Sequence, residues 1–321
     1  MIRSEYLPNL AQIEAAAQIV YAVMPPTPQY NWPVLSQTLG LEVWLKHENH
    51  TPIGAFKIRG GLTYFDELSR NPPPGVVSAT RGNHGQSIGF AARKHGIPAT
   101  VVVPRGNSIE KNNAMRALGV SLIEHGEDFQ AAKEHAQTLA VQENLHMVAS
   151  FHPLLVRGVA SYSVELMKAL PSLDVLYVPI GLGSGICGAI AAREALGHGV
   201  DIVGVVSAQA PAYARSFEAK TMVEAPVTTR IADGLACRVP EPEALEIIQR
   251  HVSHIVKVTD EEIEDAMRLC FSATHSIAEG AGAASLAAVY RDRARLEHKT
   301  VACVLSGGNV DRHVLGAILT G

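Results

Sequence analysis

The sequence predicts an α/β fold with largely parallel sheets. Short runs rich in β-branched residues alternate with longer alanine-rich stretches. Glycine-containing loops stand where such a run ends and a helical stretch begins. No internal repeat or low-complexity linker interrupts this alternation over the 321 residues.

The strands are expected at residues 42–46, 75–79, 99–103, 174–179, 201–207 and 300–305, where Val, Ile and their neighbours form short apolar runs. Helices are expected at residues 10–23, 58–68, 86–95, 109–118, 129–143, 188–196, 260–276 and 281–290, from their length and their apolar spacing. Length alone suggests two domains. Seams near residues 47–51 and 150–153 bracket a central segment with its own strand–helix units. We therefore expect a smaller domain, 48–149, inserted into a larger one made of 1–47 and 150–321.

Composition narrows the class. Hydrophobic residues make up 47% and charged residues 18%, as in a folded globular chain. The net charge is −4 with no basic run, which argues against a dedicated nucleic-acid surface. No apolar run approaches the roughly 20 residues of a membrane helix, and the first ten residues lack the apolar core of a secretory signal. The expected setting is the cytoplasm. The four cysteines show neither CxxC pairs nor short Cys/His spacing, so they read as buried reduced thiols.

Four segments carry chemistry. In the first, residues 48–60, Pro52 and Gly54 precede a helical stretch that places Lys57 in its first turn. The positive end of a helix disfavours an ammonium, and a neutral lysine is what condensation with an aldehyde requires. The apolar neighbours Ala55 and Phe56 argue for burial rather than a surface lysine. In the second, residues 78–86, a strand ends in a loop holding Thr80, Arg81, Gly82, Asn83 and His84. Backbone N–H groups clustered there suit a carboxylate or phosphate, although an ordinary βα turn would read the same way.

The third segment, residues 179–188, has glycines at 181, 183, 185 and 188. Gly183, Gly185 and Gly188 match the dinucleotide fingerprint. That fold also wants an acidic residue after the next strand, and here Ser207, Ala208 and Gln209 stand there. No Walker lysine follows. A phosphate monoester is the better guest. The fourth segment, residues 304–309, ends a strand with Ser306, Gly307, Gly308 and Asn309. A hydroxyl at that place points into the crevice where α/β ligands bind, while a plain turn remains the alternative.

Taken together and in this order, the four segments resemble the fold type II pyridoxal-phosphate family, which includes threonine and serine dehydratases, serine racemases and tryptophan synthase β chains. The resemblance spans about Pro25 to Asn309. It implies two domains, each a mostly parallel twisted sheet flanked by helices, and pyridoxal 5′-phosphate as cofactor. It implies that Lys57 binds the cofactor aldehyde as a Schiff base and moves the Cα proton. Phe56 would flank the ring, Asn83 would meet its 3′-oxygen and Ser306 its nitrogen. Gly181, Leu182, Gly183, Ser184 and Gly185 would hold the phosphate, with Gly234 and Glu279 approaching the cofactor. Thr80, Arg81, Gly82, Asn83 and His84 would receive the substrate. A homodimer is also implied.

The expected reaction is elimination of water from a β-hydroxy amino acid such as threonine or serine, giving a 2-oxo acid and ammonia. A serine hydroxyl cannot keep the ring nitrogen protonated as a carboxylate would, which favours early loss of a β leaving group over a long-lived carbanion.

Departures from the family pattern sharpen this. Leu182 and Ser184 interrupt the glycine run, and Leu182 requires a negative φ to avoid strain. Ala55 replaces a frequent serine. Arg81 stands where serine racemases place a second acid/base, and a guanidinium cannot exchange protons readily, so racemisation is disfavoured. Arg81 could instead clamp a second carboxylate, as in 3-hydroxyaspartate, or pair with a nearby acid. Residues 206–211 lack the carboxylates of metal-activated relatives, so no metal is expected there. No regulatory domain is expected after Ser306. A β-replacement enzyme and a catalytically silent cofactor-binding protein remain competing readings.

Overall fold

The computed structural model describes residues 4–321. Its strands form two sheets. In chain order they are β1 (Gln29–Asn31), β2 (Glu42–His47), β3 (Val76–Ala79), β4 (Ala99–Val103), β5 (Ser121–Glu124), β6 (His146–Met147), β7 (Val175–Pro179), β8 (Asp201–Ser207), β9 (Ile255–Val258) and β10 (Thr300–Leu305). The larger sheet has the order β1-β2-β10-β7-β8-β9 and is parallel except where β1 pairs antiparallel with β2. The smaller has the order β5-β4-β3-β6 and is parallel throughout.

Parallel strands are covered by helices on both faces and so read as continuous apolar runs. All four residues of β3 are buried, as are five of the six in β10. One core lies between the large sheet and the helices Pro153–Ala169 and Ser184–Leu196, and a second lies between its other face and Gly280–Asp292. Smaller clusters cover the two faces of the four-stranded sheet.

The expected strands match closely: 99–103, 201–207 and 300–305 agree at both ends. Among the helices that start earlier than expected are those beginning at Lys57, Asn83 and Ser184. In each case, the glycine-bearing loop turns directly into helix, so the loop's last residues supply the first N–H groups. The helix Pro153–Ala169 begins at an expected domain seam. Pro153 sits at its first position and the ring of His152 caps Leu154 N, a signal outside the usual Ser, Thr, Asp and Asn set. The helices Pro33–Leu39, Ala212–Ala219, Pro242–His251 and Arg312–Thr320, and the short strands β1, β5, β6 and β9, are further additions.

The helix Lys57–Leu68 crosses Pro153–Ala169 where glycines permit close approach. A Cβ at Gly158 would lie 2.3 Å from the Arg59 carbonyl, and one at Gly60 would lie 2.8 Å from that of Leu155. This crossing delivers Arg59 into a fully buried charge cluster. Its Nε donates to Glu48 Oε2 at 2.7 Å, and its Nη1 donates to Glu165 Oε1 at 2.6 Å and Ser161 Oγ at 2.9 Å. Lys46 Nζ donates to Glu165 Oε2 at 2.6 Å and to the Thr27 carbonyl at 2.7 Å. Two cations thus meet two carboxylates, of which Glu48 is fully buried and Glu165 nearly so.

Removing one partner of such a set strands the rest. We expect Arg59→Met to cost about 3–5 kcal/mol of stability in urea unfolding. A cost below about 1 kcal/mol would show that the cluster is not fully desolvated.

Candidate active site

Four strands of the two sheets end at one cleft. The chain leaves β2 toward Lys57, β3 toward Thr80, β7 toward Gly181 and β10 into Ser306. Ligands of parallel α/β sheets bind at these carboxyl ends. A cavity of about 680 Å³ opens there. Phe56, Lys57, Thr80, Arg81, Gly82, Asn83, His84, Gly181, Leu182, Gly183, Ser184, Gly185, Gly234, Glu279 and Ser306 all line it. The fold therefore brings together every site residue expected from the sequence.

The loop before Lys57 is held by the loop after β10. Phe56 N donates to the Ser306 carbonyl at 3.0 Å, Gly308 N donates to the Gly54 carbonyl at 2.9 Å, and Ala55 and Gly307 form an isolated antiparallel bridge. Gly54 adopts φ +68° directly against Asn309, where a Cβ would lie 2.7 Å from Oδ1. The chain ends of two distant motifs thus set where Lys57 begins its helix. Lys57 Nζ donates to Ser184 Oγ at 2.9 Å. No carboxylate balances the amine, and burial lowers its pKa from 10.5 to about 8.

The glycine loop caps the helix Ser184–Leu196. The left-handed residue is Gly183, at φ +105°, so Leu182 keeps a negative φ and avoids the strain its type would suffer. The Leu182 carbonyl accepts from Tyr213 OH at 3.0 Å. A Cβ at Gly181 would lie 2.4 Å from the Gly234 carbonyl, so the two backbones pass with no room for a side chain. The N–H groups of the first turn face the cavity mouth as an anion cradle.

Opposite stand the residues after β3. Asn83 Nδ2 donates to Glu279 Oε1 at 2.5 Å, and Asn83 Oδ1 accepts from Asn309 Nδ2 at 2.8 Å. His84 is buried, and burial together with the Lys57 charge lowers its pKa to about 3, so the ring is neutral at ordinary pH. Its Nε2 is buried without a hydrogen-bond partner. Arg81 is half-buried, and its Nε also lacks a partner. Ser306 is buried and donates to the Ala281 carbonyl over a long 3.4 Å.

Sequence reasoning missed three contributors. Lys111 reaches into the site and pairs with Asp233 Oδ2 at 2.6 Å and Glu279 Oε2 at 3.1 Å. Asp233 stands beside Gly234 in the sequence, and Asn309 closes the segment that holds Ser306. A solitary lysine in the polar start of a helix gives no signal in sequence.

An amine without a counter-charge, an anion cradle at a helix start and orphaned polar atoms between them suit one small aldehyde phosphate. The room is ample, and the ring-facing wall offers a hydroxyl. Such a cleft between two parallel sheets defines the pyridoxal-phosphate enzymes of fold type II.

The comparisons agree. Residues 21–307 match the family model "Pyridoxal-phosphate dependent enzyme". An L-threonine ammonia-lyase of Thermotoga maritima is 34% identical over 288 residues, covering 89% of this chain and 72% of the relative. Among solved structures, the processed threonine deaminase isoform 2 of Solanum lycopersicum superposes with TM-score 0.90 at 26% identity, covering 98% of this chain and 86% of that one. Maize serine racemase gives TM-score 0.90 at 25% identity, covering 98% of both chains. The chain belongs to the pyridoxal-phosphate dependent enzyme family.

The lowered Lys57 pKa has a consequence for the cofactor-free protein. The unfolded chain holds this proton up to the ordinary value, whereas the folded chain loses it near pH 8. Stability therefore rises with pH between about 8 and 10.5. Thermal melts of apo Lys57→Met should lack that rise relative to the parent. Identical pH profiles for the two proteins would contradict a buried, unpaired amine.

Proposed function

We propose that the protein is an ammonia-lyase that removes water from a β-hydroxy amino acid. The observation that carries this reading is the Lys57 amine, buried without a counter-charge and lining the same cavity as the Ser306 hydroxyl. The likeness to a threonine ammonia-lyase supports it. We also propose that residues 48–149 form a smaller domain set into a larger one of 1–47 and 150–321, and that the protein acts as a homodimer in the cytoplasm.

When bound, pyridoxal phosphate supplies an electron-accepting ring that stabilises negative charge at the substrate Cα. The residues of the chain do the rest. The N–H groups of Gly181 to Gly185 hold the phosphate, backed by the helix they cap. Phe56 flanks the ring, Asn83 meets its oxygen substituent, and Ser306 offers a hydroxyl to its nitrogen. Gly234 and Glu279 close the site around it.

Thr80, Gly82, Asn83 and His84, at the start of the helix Asn83–Lys94, receive the substrate carboxylate. The neutral His84 ring can donate there without adding a charge that competes with Lys57. Lys57 Nζ takes the Cα proton, and Ser184 keeps the amine aimed by accepting its N–H. The C–O bond at Cβ breaks, and the departing hydroxide together with the Cα proton taken by Lys57 accounts for the water lost, which returns the Lys57 amine to its starting state. The released enamine then hydrolyses to a 2-oxo acid and ammonia.

Arg81 favours a second version of this reading. Its Nε is buried without a partner and its side chain lines the same cavity as Lys57 and the substrate loop. We propose that the side chain meets a polar or acidic end of a longer hydroxy amino acid. An arginine at this place also leaves the racemase reading without its second acid/base.

The test is a panel of β-hydroxy amino acids, including threonine, serine and 3-hydroxyaspartate, assayed for 2-oxo acid and ammonia. At least one should turn over, and Lys57→Ala should lose ~10³-fold or more. Arg81→Ala should lose about 10–100-fold on acidic substrates and little on threonine. A yellow, cofactor-loaded protein that releases no ammonia from any member would overturn the lyase reading.

A further inference from the structure

The ion-paired lysine at the cleft mouth has no part in the chemistry above. Lys111 belongs to the helix Ile109–Ala117, which packs beside the four-stranded sheet. Its partners Asp233 and Glu279 belong to segments beside the six-stranded sheet. The lysine is only 6% exposed, and Glu279 only 2%. Its chain runs over Gly82, where a Cβ would lie 2.5 Å from Lys111 Cδ. The same helix start is tied across the cleft twice more. Ser108 Oγ donates to Asp311, and Glu110 Oε1 accepts from Arg312 N at 3.0 Å.

Glu279 links this lysine to the cofactor wall. One carboxylate oxygen faces Lys111 while the other accepts from Asn83 Nδ2, whose own Oδ1 accepts from Asn309. Both ends of the Asn83 amide are thereby fixed, with Glu279 as the acceptor that sets its orientation.

We propose that Lys111 is a positioning residue that bridges the two sheet units at Asp233 and Glu279 and, through Glu279, fixes the Asn83 carboxamide at the cofactor site. Burial works against the Lys111 ammonium, but Glu279 and Asp233 outweigh it and hold its pKa above the ordinary lysine value. Burial raises the Glu279 carboxyl, Lys111 pulls it back, and the Asp233 charge pushes it up further. Without Lys111, the buried Glu279 carboxyl is left beside the part-exposed Asp233 with no cation between them, and Glu279 takes up a proton or turns away.

The inference rests on the cofactor site and not on the lyase reaction. Titrating the apo protein with pyridoxal phosphate needs no substrate, so the two can fail separately. Following absorbance from pH 6 to 9, Lys111→Met should weaken binding about tenfold or more and make it tighten more steeply with rising pH than in the parent, where Lys57 alone sets the rise. In a Glu279→Gln background, the same substitution should add little. Asp233→Asn, at a half-exposed position that folding tolerates better, should move the acidic limit of binding to lower pH, because Glu279 loses a repelling neighbour. That upward or downward direction separates positioning from a merely structural role. An affinity and pH profile in Lys111→Met equal to the parent's, or losses that multiply with Glu279→Gln, would overturn the proposal. So would an acidic limit in Asp233→Asn that stays put or rises.

Discussion

The buried meeting of Arg59 with Glu48 and Glu165 is the constraint on which the site depends. Arg59 lies two residues beyond Lys57 on the first turn of the same helix. Its fork holds Glu48 from the segment after β2 and Glu165 from the long helix behind. An ion pair out of water demands near-ideal geometry, because each imperfect contact leaves a charge desolvated and unpaired. The helix start therefore has one permitted position. Lys57 inherits that position, with Phe56 N fastened to the Ser306 carbonyl on its other side. The amine can then stand unbalanced in an apolar place, because the helix that carries it is anchored by charges elsewhere.

The rest of the cleft follows the same division of labour. Close backbone contacts, rather than side chains, draw its walls. Gly181 passes Gly234, Gly54 passes Asn309, and a Cβ at Gly282 would lie 2.2 Å from the Gly307 carbonyl. Such approaches leave main-chain N–H groups free to face an anion while the polar side chains arrive from several elements. The positive helix ends at Asn83 and Ser184 both open onto the cavity. One suits a carboxylate and the other a phosphate, and the Lys57 amine lies between their elements.

Much of this was legible in sequence, for a physical reason. Lys57, the loop from Thr80 to His84, the glycine loop and Ser306 are short strings at the carboxyl ends of strands, so local pattern and crevice chemistry name them together. The contacts that assemble them were not legible. Lys111 and Asp233 are 122 positions apart, and Asn83 and Asn309 are 226 apart. No local periodicity encodes such a pairing. Arg59 read as an ordinary helical residue, since only the glycine crossing at Gly158 reveals its burial. The helix Pro153–Ala169 was hidden behind a proline and an unusual histidine cap. Strands such as β5 carry only two apolar residues, too few to stand out from a loop.

We propose that Lys57, among all the lysines, is the residue that takes the cofactor. The direct measurement is to load the protein with pyridoxal phosphate, reduce it with borohydride and map the modified peptide by mass spectrometry. The account predicts a stoichiometric tag on Lys57 alone, since that amine is the one lowered to about pKa 8 at the floor of the cavity. A tag on Lys111 or spread over surface lysines, with Lys57 unmodified, would contradict it.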